Sequence, residues 1–342
     1  MPDGSELLSS LPPEQVRLLT VARPGRELAA RPMLATLSER RAFSAQWVFE
    51  RKLDGVRVLA VREAGGVTLL SRSGRRVDDT YPEVVVALTA QERADFTVDG
   101  EIVAYRGGRT DFGLLQQRMG LTRPAEVAAS GVRVLYCAFD LLRLAGADTT
   151  ALPLRARKSL LRRALVYRPP LRFTPHRNEG GAALLAEACA RGWEGLIAKR
   201  ADSRYQPRRS ADWLKLKCFH GQEFVIGGFT EPTGAREGFG ALLLGTYAAG
   251  ELRYAGKVGT GFAHRTLVDL RARLEGLRVT GSPFAGPVAE RRPRWVSPQL
   301  VAQVEFAEWT RDGMLRHPRF VGLRDDKRPG DVVRERDGGG GR

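Results

Sequence analysis

The chain has 342 residues, 43% of them hydrophobic, 55 Lys and Arg against 39 Asp and Glu, and a formal net charge of +16. That length supports about two packed domains, and the lack of any apolar run long enough to span a bilayer excludes a protein built on membrane helices. The charge points to a polyanionic partner, nucleic acid first.

The start Met1-Pro2-Asp3-Gly4 has no basic segment followed by an apolar one, so no secretory signal is read. Cys137, Cys189 and Cys218 lie far apart and form no C-x-x-C pair. The expectation is neither a zinc site nor a disulfide framework, and a reduced cytosol. The histidines show no metal-ligand spacing.

In chain order, residues 1–30 are spotted with Pro and Arg and read as a loose N-terminal arm with one short helix. Residues 47–51, 56–62 and 67–71 are β-type runs, the last two joined as a hairpin through Ala64-Gly65-Gly66. Residues 82–94 read as a helix, 97–105 as a strand, 112–119 as a helix and 132–139 as a strand. Helices follow at 154–166 and 182–191, the latter with Leu184, Leu185, Ala188 and Cys189 on one stripe. Strands at 195–200 and 213–217 complete an α+β domain of antiparallel sheets flanked by helices, residues 31–219. From His220 the pattern changes: short strands at 224–229, 242–247, 252–258 and 304–309 surround one helix at 264–277. That fits a β-barrel of the oligonucleotide-binding (OB) type over residues 220–331, with 332–342, ending Gly338-Gly339-Gly340-Gly341-Arg342, as a disordered tail.

The chain prefers arginine, and its lysines are Lys52, Lys158, Lys199, Lys215, Lys217, Lys257 and Lys327. Arginine stays charged, whereas a lysine amine can lose a proton and attack. Lys52 stands in Glu50-Arg51-Lys52-Leu53-Asp54-Gly55-Val56-Arg57, a K-x-D-G-x-R pattern that alone reads equally well as a turn with a solvated lysine. Other charged clusters sit at the predicted strands: Ser71-Arg72-Ser73-Gly74, Asp99-Gly100-Glu101, Phe139-Asp140 at a strand end, and Glu194-Gly195 through Lys199. In Trp213-Leu214-Lys215-Leu216-Lys217 the two lysines share one strand face, which suits an anion such as a nucleotide phosphate, though an exposed edge strand would look alike. Glu101 and Glu194 could hold a ribose hydroxyl or a divalent cation. No G-x-x-x-x-G-K-[ST] loop is present, and Gly256 to Gly261 has the wrong spacing for a dinucleotide loop.

Taken in order, and with Arg324-Asp325-Asp326-Lys327, these clusters resemble the covalent nucleotidyltransferases, and more narrowly the ATP-dependent DNA ligases. Residues 31–37 (Arg31-Pro32-Met33-Leu34-Ala35-Thr36-Leu37), 112–118 and 256–262 look like the ligase module of bacterial ligase D, and the likeness runs from about Arg31 to Asp331. The resemblance implies that Lys52 attacks the α-phosphate of ATP and carries AMP as a phosphoramidate. Glu50 would read the adenine edge, Phe139 would stack on the base and Glu101 would hold the ribose. Lys199 is placed with the nucleotide, and Lys215 and Lys217 on the α-phosphate. Arg57 would touch the nucleotide or the nick, Arg72 the nick's 5′-phosphate, and Asp54 would assist sealing. Glu194, with Glu101, would bind Mg²⁺ or Mn²⁺. Arg324, Asp326 and Lys327 would orient the leaving pyrophosphate.

A lysine at its ordinary pKa of about 10.4 is a poor nucleophile at neutral pH. The expectation is that Arg57, Lys215, Lys217 and bound metal lower the Lys52 value. The implied substrate is nicked duplex DNA, with Ku or another end-joining protein as a candidate partner, no membrane association, a monomer, and a place at the bacterial nucleoid in the cytoplasm. At this length the polymerase and nuclease modules of ligase D proteins have no room, so the expectation is a stand-alone ligase or an isolated module. An RNA ligase or a capping-type guanylyltransferase is the competing enzyme reading, and a DNA-binding module with a decayed site the non-catalytic one. The barrel is expected to close for the first step and swing away to admit DNA.

Overall fold

Short β-branched and aromatic runs pair into sheets in the computed structural model, which describes residues 4–64, 66–218, 220–232, 237–310 and 312–335. Two units divide between Cys218 and the next residue. In the first, a small sheet contains β1 (Leu34–Leu37), β2 (Trp47–Arg51), β7 (Gly195–Arg200) and β8 (Arg209–Lys217), ordered β1-β8-β7-β2. Only the β1–β8 pair in it is parallel. The larger sheet runs β4 (Gly66–Ser71), β3 (Val56–Glu63), β5 (Phe96–Arg106), β6 (Val134–Leu144), each long pair antiparallel.

Side chains alternate across a strand, and the small sheet shows what that achieves. Phe49, Leu196, Ala198, Leu214 and Leu216 lie on one face and pack against Leu185 and Ala188 of α3 (Gly181–Ala190). The other face carries Glu50 opposite Ile197, Ile197 in turn opposite Lys215, and Lys199 opposite Trp213. Leu59 and Val61 of β3 and Leu142 of β6 join Trp213 and Met33 in a second cluster, so the polar face of the small sheet looks toward the large one. Two further helices, α1 (Pro82–Thr89) and α2 (Leu154–Ala164), flank the large sheet.

Several expectations need correction. Residues 1–30 are no loose arm: they hold three short helices, Gly4–Ser9, Pro13–Val16 and Gly25–Ala29, and Leu7, Leu28 and Ala29 are buried. These helices are only 6, 4 and 5 residues long, too short for a sustained periodic face, so the sequence conceals the packing. The helix expected at 82–94 stops at Thr89 and the one at 112–119 at Gln116. The turn residue Gly65 and the glycine tail lie outside the described residues. Residues 332–335 are not tail: Val332 is buried and Val333 bridges to Tyr247.

Cys189 and Cys218 form a disulfide, with Cα atoms 5.1 Å apart. They are 29 residues apart in sequence, and only the packing of α3 on β8 brings them together.

In the second unit β9 (His220–Thr230), β10 (Leu242–Ala248), β11 (Glu251–Val258), β12 (Pro293–Phe306) and β13 (Arg319–Leu323) form an antiparallel sheet ordered β11-β10-β9-β12-β13. Helix α4 (His264–Glu275) buries Leu267, Leu270 and Leu274 against Phe224, Ile226 and Leu244. Register shifts bend the long β9 and β12, as a coiled sheet requires. The strand expected at 304–309 is two: β12 ends at Phe306, and Glu308–Trp309 pairs with Leu315–Arg316. This is a C-terminal domain of the OB type.

Candidate active site

Lys52 is the first residue past β2, and its amide still donates to the Gly195 carbonyl at 2.9 Å, one step beyond the Arg51–Leu196 pair. The main chain therefore fixes Lys52 beside Glu194. Both motif glycines are demanded by this geometry. A Cβ at Gly55 would lie 2.2 Å from the Ile102 carbonyl oxygen, and Gly195 has φ 141° with no room for a Cβ against Leu216.

Lys52 Nζ pairs with Glu194 Oε1 at 2.5 Å. Burial pushes the ammonium toward deprotonation, but Glu194, then Asp54 and Glu101, outweigh it and raise the Lys52 pKa above its usual value. This reverses the sequence expectation. Carboxylates are the charged groups that act most strongly on Lys52, which sequence spacing cannot show. Arg57 does not supply a free charge: its Nε donates to Asp99 Oδ1 at 2.8 Å, its Nη2 to Asp99 Oδ2, and its Nη1 to the Met33 carbonyl at 2.7 Å. Tyr205 closes this buried group by donating to Asp99 at 2.6 Å.

Beside Lys52 lies a cavity of about 130 Å³ between the two sheets. From β2 and the loop after it come Glu50, Arg51, Lys52 and Leu53; from the large sheet come Arg57, Glu101 and Phe139. Ile197, Lys199 and Trp213 complete the polar face of the small sheet, with Thr174 and Ala35 at its edges. Phe139 does not end a strand. It sits in the middle of β6 at a bulge, where Gly100 pairs with Ala138 and Asp99 with Asp140. The extra residue turns its ring into the cavity.

Glu50 is 3% exposed and held between two lysines, Lys158 Nζ at 2.5 Å and Lys199 Nζ at 2.7 Å. Burial alone would push the Glu50 carboxyl up; Lys158 and then Lys199 overcome it and hold it below the usual range. Lys199 stands 4.4 Å from the Phe139 ring centre and 4.1 Å from that of Trp213. Burial keeps its pKa below that of ordinary lysine, even with Glu50 adjacent.

Of the remaining expected residues, Lys215 and Lys217 share the cavity-side face of β8, opposite Ile197 and Gly195. Asp54 follows Lys52 in the loop, and Arg72 stands in the turn after β4. Arg324, Asp326 and Lys327 are in the second unit, where Arg324 grips Asp326 through two bonds of 2.8 Å and Lys327 pairs with Glu223 at 2.8 Å. The sequence reading missed Lys158, Thr174 and Trp213. For Lys158 a signal existed, since lysine is scarce, but its helix offered no motif. Among the described residues no three His, Cys, Asp or Glu side chains cluster as a metal site. Glu194 Oε2 is buried without a hydrogen-bond partner, so this carboxylate fits as a ligand of a hard cation.

Residues 32–217 match the family model described as ATP dependent DNA ligase domain, and residues 235–327 the one described as ATP dependent DNA ligase C terminal region. The multifunctional non-homologous end joining protein LigD of Pseudomonas aeruginosa is 42% identical over 317 residues, 90% of this chain and 37% of that protein. A probable DNA ligase of Anaeromyxobacter sp. is 33% identical over 335 residues, 92% of this chain and 62% of that protein. Among solved structures, mycobacterial DNA ligase D complexed with ATP and MES is 38% identical with a TM-score of 0.64, covering 90% of this chain and 98% of that one. The chain thus spans well under half of the LigD relative and less than two thirds of the probable ligase. The matched models are those of DNA ligases, which favours that reading over an RNA-directed relative.

Proposed function

The chain belongs to the ATP-dependent DNA ligase family, and from that membership we propose that it seals breaks in duplex DNA through an AMP held covalently on Lys52. The observation that carries this is the main-chain fixing of Lys52 against Gly195, with its amine at Glu194 on the edge of a cavity that has an aromatic wall and a buried polar floor.

The Lys52 amine, once it gives up a proton, attacks the α-phosphorus of ATP. A nitrogen–phosphorus bond forms and the bond to pyrophosphate breaks. The 5′-phosphate of a nick then takes AMP from Lys52, and the 3′-hydroxyl displaces AMP to close the strand. Glu50, Lys199 and Phe139 bind the base, Glu101 the ribose, and Lys215 and Lys217 the α-phosphate. Arg57, held by Asp99, forms the cavity wall beside the nucleotide. Arg72 binds the nick's 5′-phosphate, and Asp54 serves sealing. Arg324, Asp326 and Lys327 act on the leaving pyrophosphate. Mg²⁺ or Mn²⁺, with Glu194 and Glu101 as ligands, would neutralise phosphate charge. ATP is the nucleotide because a similar solved structure is an ATP complex.

We place the chain in end joining, with nicked duplex DNA as substrate and Ku as a candidate recruiter in the bacterial cytoplasm, because relatives matching 89–90% of it are named end-joining proteins. No helix among the described residues is long and apolar enough to cross a membrane.

The test is incubation with ATP and Mg²⁺ or Mn²⁺. Intact-mass measurement is expected to show one added AMP, removed by acid and not by alkali, and absent in Lys52→Ala. No adduct, or an adduct that survives the substitution, overturns the proposal.

A further inference from the structure

Lys158 lines no part of the cavity, yet its one ammonium meets three residues that do. Nζ donates to Glu50 Oε1 at 2.5 Å, to the Thr174 carbonyl at 3.0 Å and to the Phe139 carbonyl at 3.5 Å. Glu50 lies on the small sheet, Phe139 on the large one, and Thr174 in the segment that follows the short strand Leu171–Phe173. Three separate walls are thereby tied to one point on α2. A lysine has three N–H donors and no acceptor, so this set of partners uses it fully.

An ammonium only 2% exposed is costly unless every donor is met. A merely structural tie could be made by apolar packing, as elsewhere on α2, where Leu154, Leu160 and Leu161 are buried. The lysine instead spends its charge on a carboxylate that would face the base. Glu50 has two oxygens: Lys158 takes Oε1 and Lys199 takes Oε2. Lys199 lines the cavity and Lys158 stands behind it. The carboxylate is thus oriented from behind, and its remaining acceptor capacity is fixed in direction. A purine's 6-position offers a donor in adenine and an acceptor in guanine, so a carboxylate of fixed direction discriminates between them, whereas a swivelling one discriminates less.

We propose that Lys158 is a positioning residue for nucleobase selection, holding Glu50, Phe139 and Thr174 in the arrangement that favours a 6-aminopurine nucleoside triphosphate. The assignment rests on the proposed adenylation of Lys52. It concerns which nucleotide enters and how tightly, not the attack on phosphorus.

The experiment is single-turnover adenylation of Lys52 in the full chain with ATP and with GTP, comparing wild type with Lys158→Met. The expected result is a rise of at least about tenfold in the half-saturating ATP concentration, a saturating rate within about threefold of wild type, and an ATP-to-GTP preference reduced at least about tenfold. A general loss of structure would lower both nucleotides together and leave their ratio unchanged. Lys158→Gln retains an N–H donor without the charge and is expected to fall between the two. An unchanged preference in a folded variant overturns the assignment. So does failure of both variants to fold, which would make Lys158 a purely structural residue. If wild type itself takes no AMP, the proposed function has failed, and that outcome is separate from any result on Lys158.

Discussion

Lys52 Nζ and Glu194 Oε1 stand 2.5 Å apart, so the Lys52 amine rests as an ammonium. Burial favours its neutral form, and Glu194 is the largest influence opposing it. Glu194→Gln removes that charge, so the Lys52 pKa must fall. The acid limb of the adenylation rate against pH should therefore move to lower pH. The plateau should drop at the same time, since the substitution also removes the proposed cation ligand. A single-turnover pH profile reads both. A limb that stays in place or moves up would show that Glu194 is not the counter-ion that sets Lys52.

Asp140 and Arg157 make a second buried pair, with Arg157 Nε and Nη2 donating to the two carboxylate oxygens at 2.7 and 2.9 Å and both side chains 0% exposed. Burial pushes the Asp140 carboxyl up, but Arg157 overcomes it and holds the carboxyl below the ordinary range. A carboxyl depressed in the folded state adds stability above its unfolded pKa, about 3.9, and loses it as pH falls through the folded value. Asp140→Asn leaves the guanidinium buried without a counter-charge and should cost about 3–5 kcal/mol at pH 7. Urea unfolding should show that deficit at neutral pH and a smaller one below about pH 4. An equal deficit at both would assign the loss to packing.

The motifs were legible because each is local. Lys215 and Lys217 are fixed by strand alternation, which any short segment carries in its own spacing. Their assembly was not. Whether Lys52 is surrounded more by cations or by carboxylates depends on which strands adjoin, and the sequence reading had the sign wrong. Phe139 was recognised but placed at a strand end, because a bulge leaves no mark in a run as apolar as residues 134–144. Lys158 could not be assigned from a helix whose neighbours are chosen by the fold. The burial of Leu7 and Leu28 likewise depends on partners far along the chain.

The Cys189–Cys218 bond joins the end of α3 to the residue after Lys217, and the Cys218 amide donates to the Glu194 carbonyl at 3.0 Å. Cys137 is buried and free. Thiol titration of denatured, unreduced protein should therefore find one thiol per chain, and three after reduction. Closing a loop of this length restricts the unfolded chain, so Cys218→Ser should lower stability by about 2–4 kcal/mol under oxidising conditions. Under reducing conditions the variant and wild type should converge. Three thiols before reduction would show that the bond does not form in solution.

In the second unit Asp326 is buried and clamps Arg324 through two bonds of 2.8 Å, while Lys327 pairs with Glu223. Burial pushes the Asp326 carboxyl up; Arg324 overcomes it, aided by Lys327, and keeps it ionised below the usual range. The carboxylate thus orients one cation beside another. Cations so held serve best where charge develops, and in the proposed sequence pyrophosphate leaves only in the first step. Lys327→Ala should slow single-turnover adenylation of Lys52 roughly 100-fold. Sealing of nicked DNA by enzyme already carrying AMP should change by no more than about threefold, because no pyrophosphate is released there. Asp326→Asn should follow the same pattern, since it releases the Arg324 guanidinium from its fixed direction. Comparing the two rates for each variant is the decisive measurement. A Lys327→Ala chain that seals from the adenylated state as slowly as it adenylates would show that this cluster serves the DNA steps, and the assignment to pyrophosphate would be wrong.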